Sequence, residues 1–75
     1  METVFIDTEF IKLGQLLKLA NLVSQGSEAK ILILDGHVLV NGETETRRGR
    51  KIYGGDTVEL IGAGKVKVAS CHQPL

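Results

Sequence analysis

The sequence predicts a small α+β domain that combines a helix in its first half with several short strands. Three observations support this prediction. Residues 13–23 carry apolar side chains at helical spacing, and residues 37–68 contain short alternating runs separated by glycine-containing turns. The chain has only 75 residues, so we expect one domain over residues 1–75, with a small core and little room for a deep catalytic pocket.

A strand and a capping segment are predicted at the N-terminus. Val4 and Ile6 lie on one side of a strand over residues 3–6. Asp7 and Thr8 interrupt the alternation, and both residue types cap helices. We therefore expect them to cap the segment that follows.

A helix is predicted over residues 13–23. Starting at Leu13, apolar side chains recur at positions i, i+3, i+4 and i+7, and Leu19 and Leu22 widen this stripe. Gly14 lies at the helix start, where a glycine costs less than in the middle. The width of the stripe predicts a well-buried helix.

The segment after Ser27 has two interpretations from its pattern alone. Apolar side chains over residues 29–33 have helical spacing, which favours a second helix closed by Gly36 in the left-handed conformation. The same region also forms two apolar runs joined by Asp35 and Gly36, a strong signal for a two-residue hairpin. Residues 37–40 are a strand in both interpretations.

The rest of the chain predicts short strands joined by turns. The predicted turns lie at residues 41–42, 54–56 and 62–64, and the predicted strands at residues 43–46, 57–60 and 65–68. The tail over residues 70–75 has no periodicity, so we expect it to be frayed.

The charge of the chain is concentrated in one pentapeptide. The net charge is zero, yet residues 47–51 hold four of the nine basic residues and no acidic one, which leaves five basic against nine acidic residues elsewhere. A local positive field of this kind can attract an anion although the total charge is zero. The acidic Glu43 and Glu45 lie just upstream, so charge pairing within the chain is the alternative use of these cations.

Several protein classes are not expected. Apolar residues make up 43% and charged residues 24% of the chain, as in ordinary globular domains, which argues against disorder. The single cysteine, Cys71, cannot form an intramolecular disulfide, and no apolar run has the length of a membrane span. The N-terminus lacks the features of a signal peptide, so we expect a cytoplasmic protein. Low aromatic content predicts a monomer.

Catalytic and metal sites are not expected either. No serine or cysteine lies near a plausible base, and there is no glycine-rich phosphate loop with its lysine. Cys71 and His72 are adjacent, but a structural zinc site needs about four ligands and the chain has only one further histidine. We expect no enzyme activity, no cofactor and no metal.

The motifs occur together in the order of a known family. These motifs are Lys12-Leu13, the amphipathic helix, Ser27-Glu28-Ala29-Lys30, the run from Gly36 to Glu43, the basic pentapeptide, and Gly55-Asp56-Thr57-Val58. Over about residues 12–60 the chain resembles the RNA-binding domain of the ribosomal-protein-S-four type, or alpha-L motif. The small stand-alone bacterial members of the YaaA-like and YbcJ-like type are most similar.

The resemblance implies a fold and a surface. The fold is two short helices packed on a small, mostly antiparallel sheet of four to five strands, with the second helix at about residues 28–34. The RNA surface is formed by the helix pair and the loop between strands. The candidate RNA-binding residues are Lys12, Lys18, Lys30, Arg47, Arg48, Arg50 and Lys51. Lys12 and Lys30 match basic family positions, the pentapeptide matches the basic run of the stand-alone members, and Lys18 extends the patch.

Two glycines depart from the family pattern. Many relatives have an arginine at the position of Gly26 and an aspartate at the position of Gly14. This departure favours phosphate contact over base-specific recognition by the helix pair. Guanidinium groups suit phosphate because they pair with it in a fork geometry. Tyr53, which follows the basic run, either stacks on a base or packs against the sheet.

We therefore expect a non-catalytic RNA-binding protein. The family indicates structured ribosomal RNA, as a ribosome or a precursor, with a role in ribosome assembly or RNA quality control. One alternative is a β-grasp sulfur carrier, which shares the Val-Asn-Gly-Glu and Gly-Asp-Thr-Val patterns but requires a C-terminal Gly-Gly, whereas this chain ends Gln-Pro-Leu. A second alternative is an adaptor that presents the basic loop to an acidic protein.

Overall fold

The chain forms two helices and seven strands within residues 1–71, the part that the computed structural model describes. The helices are α1 (Leu13–Leu19) and α2 (Gly26–Leu34). The strands are β1 (Glu2–Ile6), β2 (Phe10–Lys12), β3 (Val38–Val40), β4 (Glu43–Thr44), β5 (Lys51–Tyr53), β6 (Thr57–Leu60) and β7 (Gly64–Ser70). These elements confirm the predicted α+β class.

Five of the strands form one sheet, in the order β1-β7-β6-β3-β4. All neighbouring pairs are antiparallel except β1 and β7, which run parallel. The predicted mostly antiparallel sheet of four to five strands is therefore confirmed. Alternation along β6 and β7 buries Val58, Leu60, Val66 and Val68 on one face.

A second, two-stranded sheet pairs β2 with β5 and was not predicted. Ile11 lies opposite Ile52, which is fully buried, so the inner face of this ribbon joins the core. Each strand has only three residues. Strands this short leave no local periodicity, and their pairing partners are far apart in the sequence.

Helix α1 ends at Leu19 and is shorter than the predicted helix over residues 13–23. Asn21 adopts a positive φ of 58°, and the N–H of Leu22 donates to the carbonyl of Leu17 at 3.0 Å. This arrangement satisfies the last carbonyls and turns the chain out of the helix. As a result, Leu19 is exposed rather than part of a buried stripe.

Helix α2 settles the two interpretations of the segment after Ser27 in favour of the helix. It begins at Gly26, two residues before the predicted start. Gly36 has a φ of 81°, and the N–H of His37 donates to the carbonyl of Leu32 at 3.0 Å. Gly36 thus closes the helix in the left-handed conformation, as predicted.

The core lies between the helices and the sheets. Buried side chains come from β1, both helices, the loop between them, and strands β3, β5, β6 and β7. They are Ile6, Leu13, Leu16, Leu17, Val23, Ala29, Ile33, Val38, Val40, Ile52, Val58, Leu60, Val66 and Val68. Within residues 1–71, neither helix combines the length and the apolar character that a membrane crossing requires.

The end of the described chain is more ordered than predicted. Ser70 is the last residue of β7, and its hydroxyl donates to the carbonyl of Thr8 at 2.7 Å. The N–H of Cys71 donates to the carbonyl of Ile6 at 2.8 Å. The expectation of a frayed tail over residues 70–75 is therefore wrong for these two residues, and residues 72–75 lie outside the described part of the chain.

Candidate nucleic-acid interface

The basic loop, which carries the basic pentapeptide of residues 47–51, is hydrogen-bonded to the first turn of α1. Neither Asp7 nor Thr8 caps this helix, and its N-cap residue, Lys12, makes no side-chain capping bond. Instead, the N–H of Leu13 donates to the carbonyl of Arg50 at 2.9 Å, and the N–H of Gly14 donates to that of Arg48 at 3.1 Å. Loop carbonyls thus accept hydrogen bonds from backbone N–H groups of the first turn. At most helix starts these N–H groups bond to a capping side chain or to water. This docking fixes the loop backbone against α1.

Glu45 organises the loop from within. Its side chain is only 7% exposed, and its carboxylate accepts bonds from Arg47 Nε at 3.0 Å and Arg50 Nη1 at 2.8 Å. The backbone N–H of Arg47 also donates to it, at 3.0 Å. The hydrogen bonds from Arg47 and then Arg50 outweigh the effect of burial and lower the pKa of Glu45 to about 2.

Because Glu45 holds two arginines, the pentapeptide is less positive than its composition indicates. Within the described residues, both ion pairs belong to Glu45. Arg48 and Lys51 form neither of them and keep their full charge for another partner. The predicted alternative of charge pairing inside the chain is thus correct for Arg47 and Arg50.

A groove runs between α1, the start of α2 and the loop. Its lining residues are Lys12, Gly14, Gln15, Lys18, Gly26, Arg48 and Gly49. The Arg48 side chain lies across Gly14, where an added Cβ would come within 3.1 Å of Arg48 Cγ. Gly14 and Gly26 both lie in this groove, which leaves its floor without side chains of its own at two positions.

A second cleft adjoins the first, and Gly49 lines both. The other residues of this cleft are Arg47, Arg50, Lys51, Tyr53 and Asp56. The structure therefore brings six of the seven predicted RNA-binding residues to two neighbouring clefts: Lys12, Lys18 and Arg48 in the groove, and Arg47, Arg50 and Lys51 in the cleft.

Lys30 is the predicted residue that the structure leaves outside both clefts. It is exposed on α2, one helical turn beyond Gly26. Residues four apart on a helix are neighbours on the same side. Lys30 is therefore placed to extend the groove along α2 rather than to line it.

Sequence reasoning missed three residues of this region. Glu45 was recognised only as a nearby acidic residue, since nothing in the sequence shows that it is buried. Phe10 lies on the same face of β2 as Lys12, and a strand of three residues gives no signal of this in the sequence. Gly49 lies between the two clefts, and that position required the structure.

This fold and these clefts define a small α+β domain that presents cationic grooves suited to a polyanion. The chain belongs to the S4 domain family, whose model matches residues 4–69. The match extends beyond residues 12–60, over which the family motifs were recognised. Because the S4 domain model covers residues 4–69, the alternative of a β-grasp sulfur carrier is rejected.

Named relatives support this assignment. The chain is 49% identical over 67 residues to a Bacillus subtilis protein named "Probable ribosome maturation protein RlbA", covering 89% of this chain and 94% of that protein. It is 44% identical over 52 residues to the Escherichia coli "Putative RNA-binding protein YbcJ", covering 69% of this chain and 74% of the relative.

A solved structure has the same fold. The solution structure of YbcJ from E. coli, described as revealing an alpha-L motif involved in RNA binding, superposes with a TM-score of 0.72 at 38% identity. The superposition covers 92% of this chain and 87% of that one. The helix pair and sheet described above are therefore the alpha-L architecture that the resemblance implied.

Proposed function

We propose that this chain is a non-catalytic RNA-binding protein that contacts structured ribosomal RNA during ribosome maturation. The observation that carries the proposal is the groove between α1, α2 and the basic loop. Lys12, Lys18 and Arg48 line it, and none of the three takes part in the ion pairs of the described residues. Three uncompensated cations in one groove favour a polyanion with closely spaced charges.

The groove favours contact with the RNA backbone. Gly26 places no side chain in it and has open space around it, so a phosphate can approach the start of α2 closely, whereas the Arg48 side chain covers Gly14 at the start of α1. Arg48 offers a planar donor set that pairs with phosphate oxygens, and the bond from Gly14 to its carbonyl holds its backbone in place. Such contacts position the RNA and recognise its shape, while carrying little sequence information.

Glu45 supports binding indirectly. It neutralises part of the loop charge, yet it holds Arg47 and Arg50 in one conformation beside the groove. A loop ordered in advance loses less conformational entropy when the RNA binds. Arg47 is 76% exposed along its side chain, so it can still offer donors to a phosphate while bound to Glu45.

The relatives suggest the class of RNA. One relative is named for ribosome maturation and another for RNA binding, and this chain covers most of both. Ribosomal RNA, as a precursor or in an assembling particle, is therefore the proposed partner, and the cytoplasm is the compartment in which the chain would meet it. Lys30 extends the contact along α2, and Arg50 and Lys51 extend it into the adjoining cleft.

A binding assay with charge-matched variants tests the proposal. Lys18→Ala with Arg48→Ala removes two charges from the groove, and Lys65→Ala with Lys67→Ala removes two from exposed positions on β7. Filter binding to a structured ribosomal RNA fragment, repeated over a range of salt, should show a large affinity loss for the groove pair alone. The salt slope should fall by about 2 for that pair, since each phosphate contact contributes about one unit.

Three results would contradict the proposal. Absence of RNA binding by the wild type at low salt would remove RNA as the partner. Equal losses in the two double variants would show a diffuse charge effect rather than a groove. Transfer RNA competing as well as the ribosomal fragment would reject ribosomal RNA as the preferred target.

A further inference from the structure

The outward face of the β2–β5 ribbon is formed by two aromatic and two basic side chains. Phe10 lies opposite Tyr53, and Lys12 lies opposite Lys51. Because side chains alternate along a strand, these four share one face, and Ile11 and Ile52 occupy the other face, toward the core.

Three of the four side chains contact one another through the Phe10 ring. The rings of Phe10 and Tyr53 are 5.8 Å apart between centroids and tilted by 49°. Lys51 Nζ lies 4.7 Å from the centre of the Phe10 ring. Phe10 is half-buried beneath Lys51, whereas Tyr53 remains 41% exposed. Tyr53 therefore presents the accessible ring.

The backbone of Tyr53 is also held in place. Its N–H donates to Asp56 Oδ2 at 2.8 Å, and Asn41 Nδ2 donates to Asp56 Oδ1 at 3.1 Å. These bonds engage both carboxylate oxygens of Asp56, the one acidic residue among the described residues that lines the cleft. The tyrosine thus projects from a fixed turn, next to an acid whose oxygens already accept donors.

An aromatic cross-strand pair by itself has a structural explanation, because such pairs stabilise short ribbons. The contact with the Phe10 ring accounts for Lys51, but it leaves Lys12 without an explanation, since like charges directly opposite each other destabilise a strand pair. Lys12 also lines the groove proposed for RNA, and Lys51 and Tyr53 line the adjoining cleft. A ligand that carries both negative charges and aromatic groups would explain why two lysines and two aromatic rings share this face of the ribbon.

We propose that Tyr53 stacks on an unpaired nucleobase of the bound RNA, while Lys51 and Lys12 contact the phosphates on either side of it. Stacking on an aromatic ring beside a basic track is the usual way in which proteins hold single-stranded nucleic acid. The proposal rests on the proposed function and adds a preference for RNA in which a paired segment continues into an unpaired one. Phe10 is a positioning residue, which supports Tyr53 and Lys51.

Three hairpin RNAs test the proposal: one with a short single-stranded overhang, the same one with abasic overhang positions, and a blunt one. Tyr53→Leu should lower affinity for the overhang RNA by about fivefold or more, the lower end of what one stacked base contributes. Tyr53→Phe keeps the ring and should bind like the wild type. Both variants should bind the blunt and abasic RNAs as the wild type does, which also confirms that they are folded.

A second measurement uses the fact that the chain has one tyrosine. With 3-fluorotyrosine incorporated, the single fluorine resonance should shift on addition of the overhang RNA, through the ring current of the stacked base. The abasic RNA should leave it nearly unchanged.

The possible results separate the two proposals. If the wild type binds all three RNAs equally and Tyr53→Leu changes nothing, the stacking site is overturned while RNA binding stands. If the wild type binds none of them, both proposals are overturned.

Discussion

Arg48 meets Gly14 with both its backbone and its side chain. Its carbonyl accepts the N–H of Gly14 at 3.1 Å, and its Cγ lies 3.1 Å from the place that a Cβ on Gly14 would occupy. The side chain therefore crosses the first turn of α1 because position 14 has no side chain of its own. This contact joins the helix to the basic loop and directs one uncompensated guanidinium group into the groove.

Gly14→Ala should displace Arg48 without unfolding the chain. Arg48 is exposed and flexible, so it can move by the few tenths of an ångström that the methyl group requires. Alanine is favoured over glycine in a helix by up to about 1 kcal/mol, so the melting temperature should stay the same or rise. RNA affinity should fall by roughly threefold as the guanidinium group leaves its position.

Gly26→Ala is the matched control for that change. A Cβ at position 26 meets no atom of residues 1–71 within 4 Å, so the same chemical change there leaves Arg48 in place. Thermal unfolding and filter binding should show similar stability for both variants and reduced affinity for Gly14→Ala alone. Unchanged affinity in both would remove Arg48 from the proposed contact.

Arg47→Ala and Arg48→Ala should differ although each removes one arginine from the same loop. Arg48 is not paired with Glu45, so its loss should lower RNA affinity about tenfold and the salt slope by about 1. Arg47 already shares its charge with Glu45, so its loss should cost less affinity and should also lower the melting temperature. Equal affinity losses measured over the same salt range would contradict the assignment.

The strands with the clearest alternation, and the closure of α2, were predictable from local chemistry. Val58 and Leu60 alternate with polar neighbours, and β6 has the predicted bounds. Gly36 was a predicted left-handed residue and has that conformation. Whether it closes a helix or a hairpin could not be decided locally, because residues 29–33 have apolar side chains that suit either structure. The family resemblance made that choice correctly.

Other features depend on tertiary contacts that leave no local signal. The predicted helix over residues 13–23 continues past Asn21, but the left-handed backbone of that residue follows the end of α1. Lys12 and Lys51 are neighbours only because β2 pairs with β5 across a large sequence separation. The burial of Glu45 likewise leaves no signal in the sequence. The basic residues of the site could thus be listed from the sequence, but not which of them are already paired.

Glu45→Gln should destabilise the chain in a pH-dependent way. The pKa of Glu45 lies at about 2 in the folded chain, below its ordinary 4.5, so folding favours its charged form. That contribution is fully present above pH 4.5 and is lost as the pH falls toward 2. At neutral pH the free energy of unfolding of the variant should be about 1 kcal/mol lower than that of the wild type. The loss is small because Arg47 is largely exposed, so water screens its ion pair with Glu45.

Denaturant unfolding of both proteins from pH 7 down to pH 2 measures this effect. The difference between wild type and variant should be greatest at neutral pH and should shrink below pH 4.5. A difference that stays constant over this range would show that the carboxylate charge does not stabilise the loop.

Gly26→Arg should increase RNA affinity. The position lines the groove, and no atom of the described residues lies within 4 Å of a Cβ placed there. A further guanidinium group there adds one phosphate contact, so affinity should rise by about fivefold at low salt and the salt slope by about 1. Gly26→Ala separates charge from helix propensity, because it stabilises the helix start without adding a donor. If Gly26→Arg has the same RNA affinity and salt slope as Gly26→Ala, RNA does not approach the start of α2. The groove would then not be the RNA-binding site.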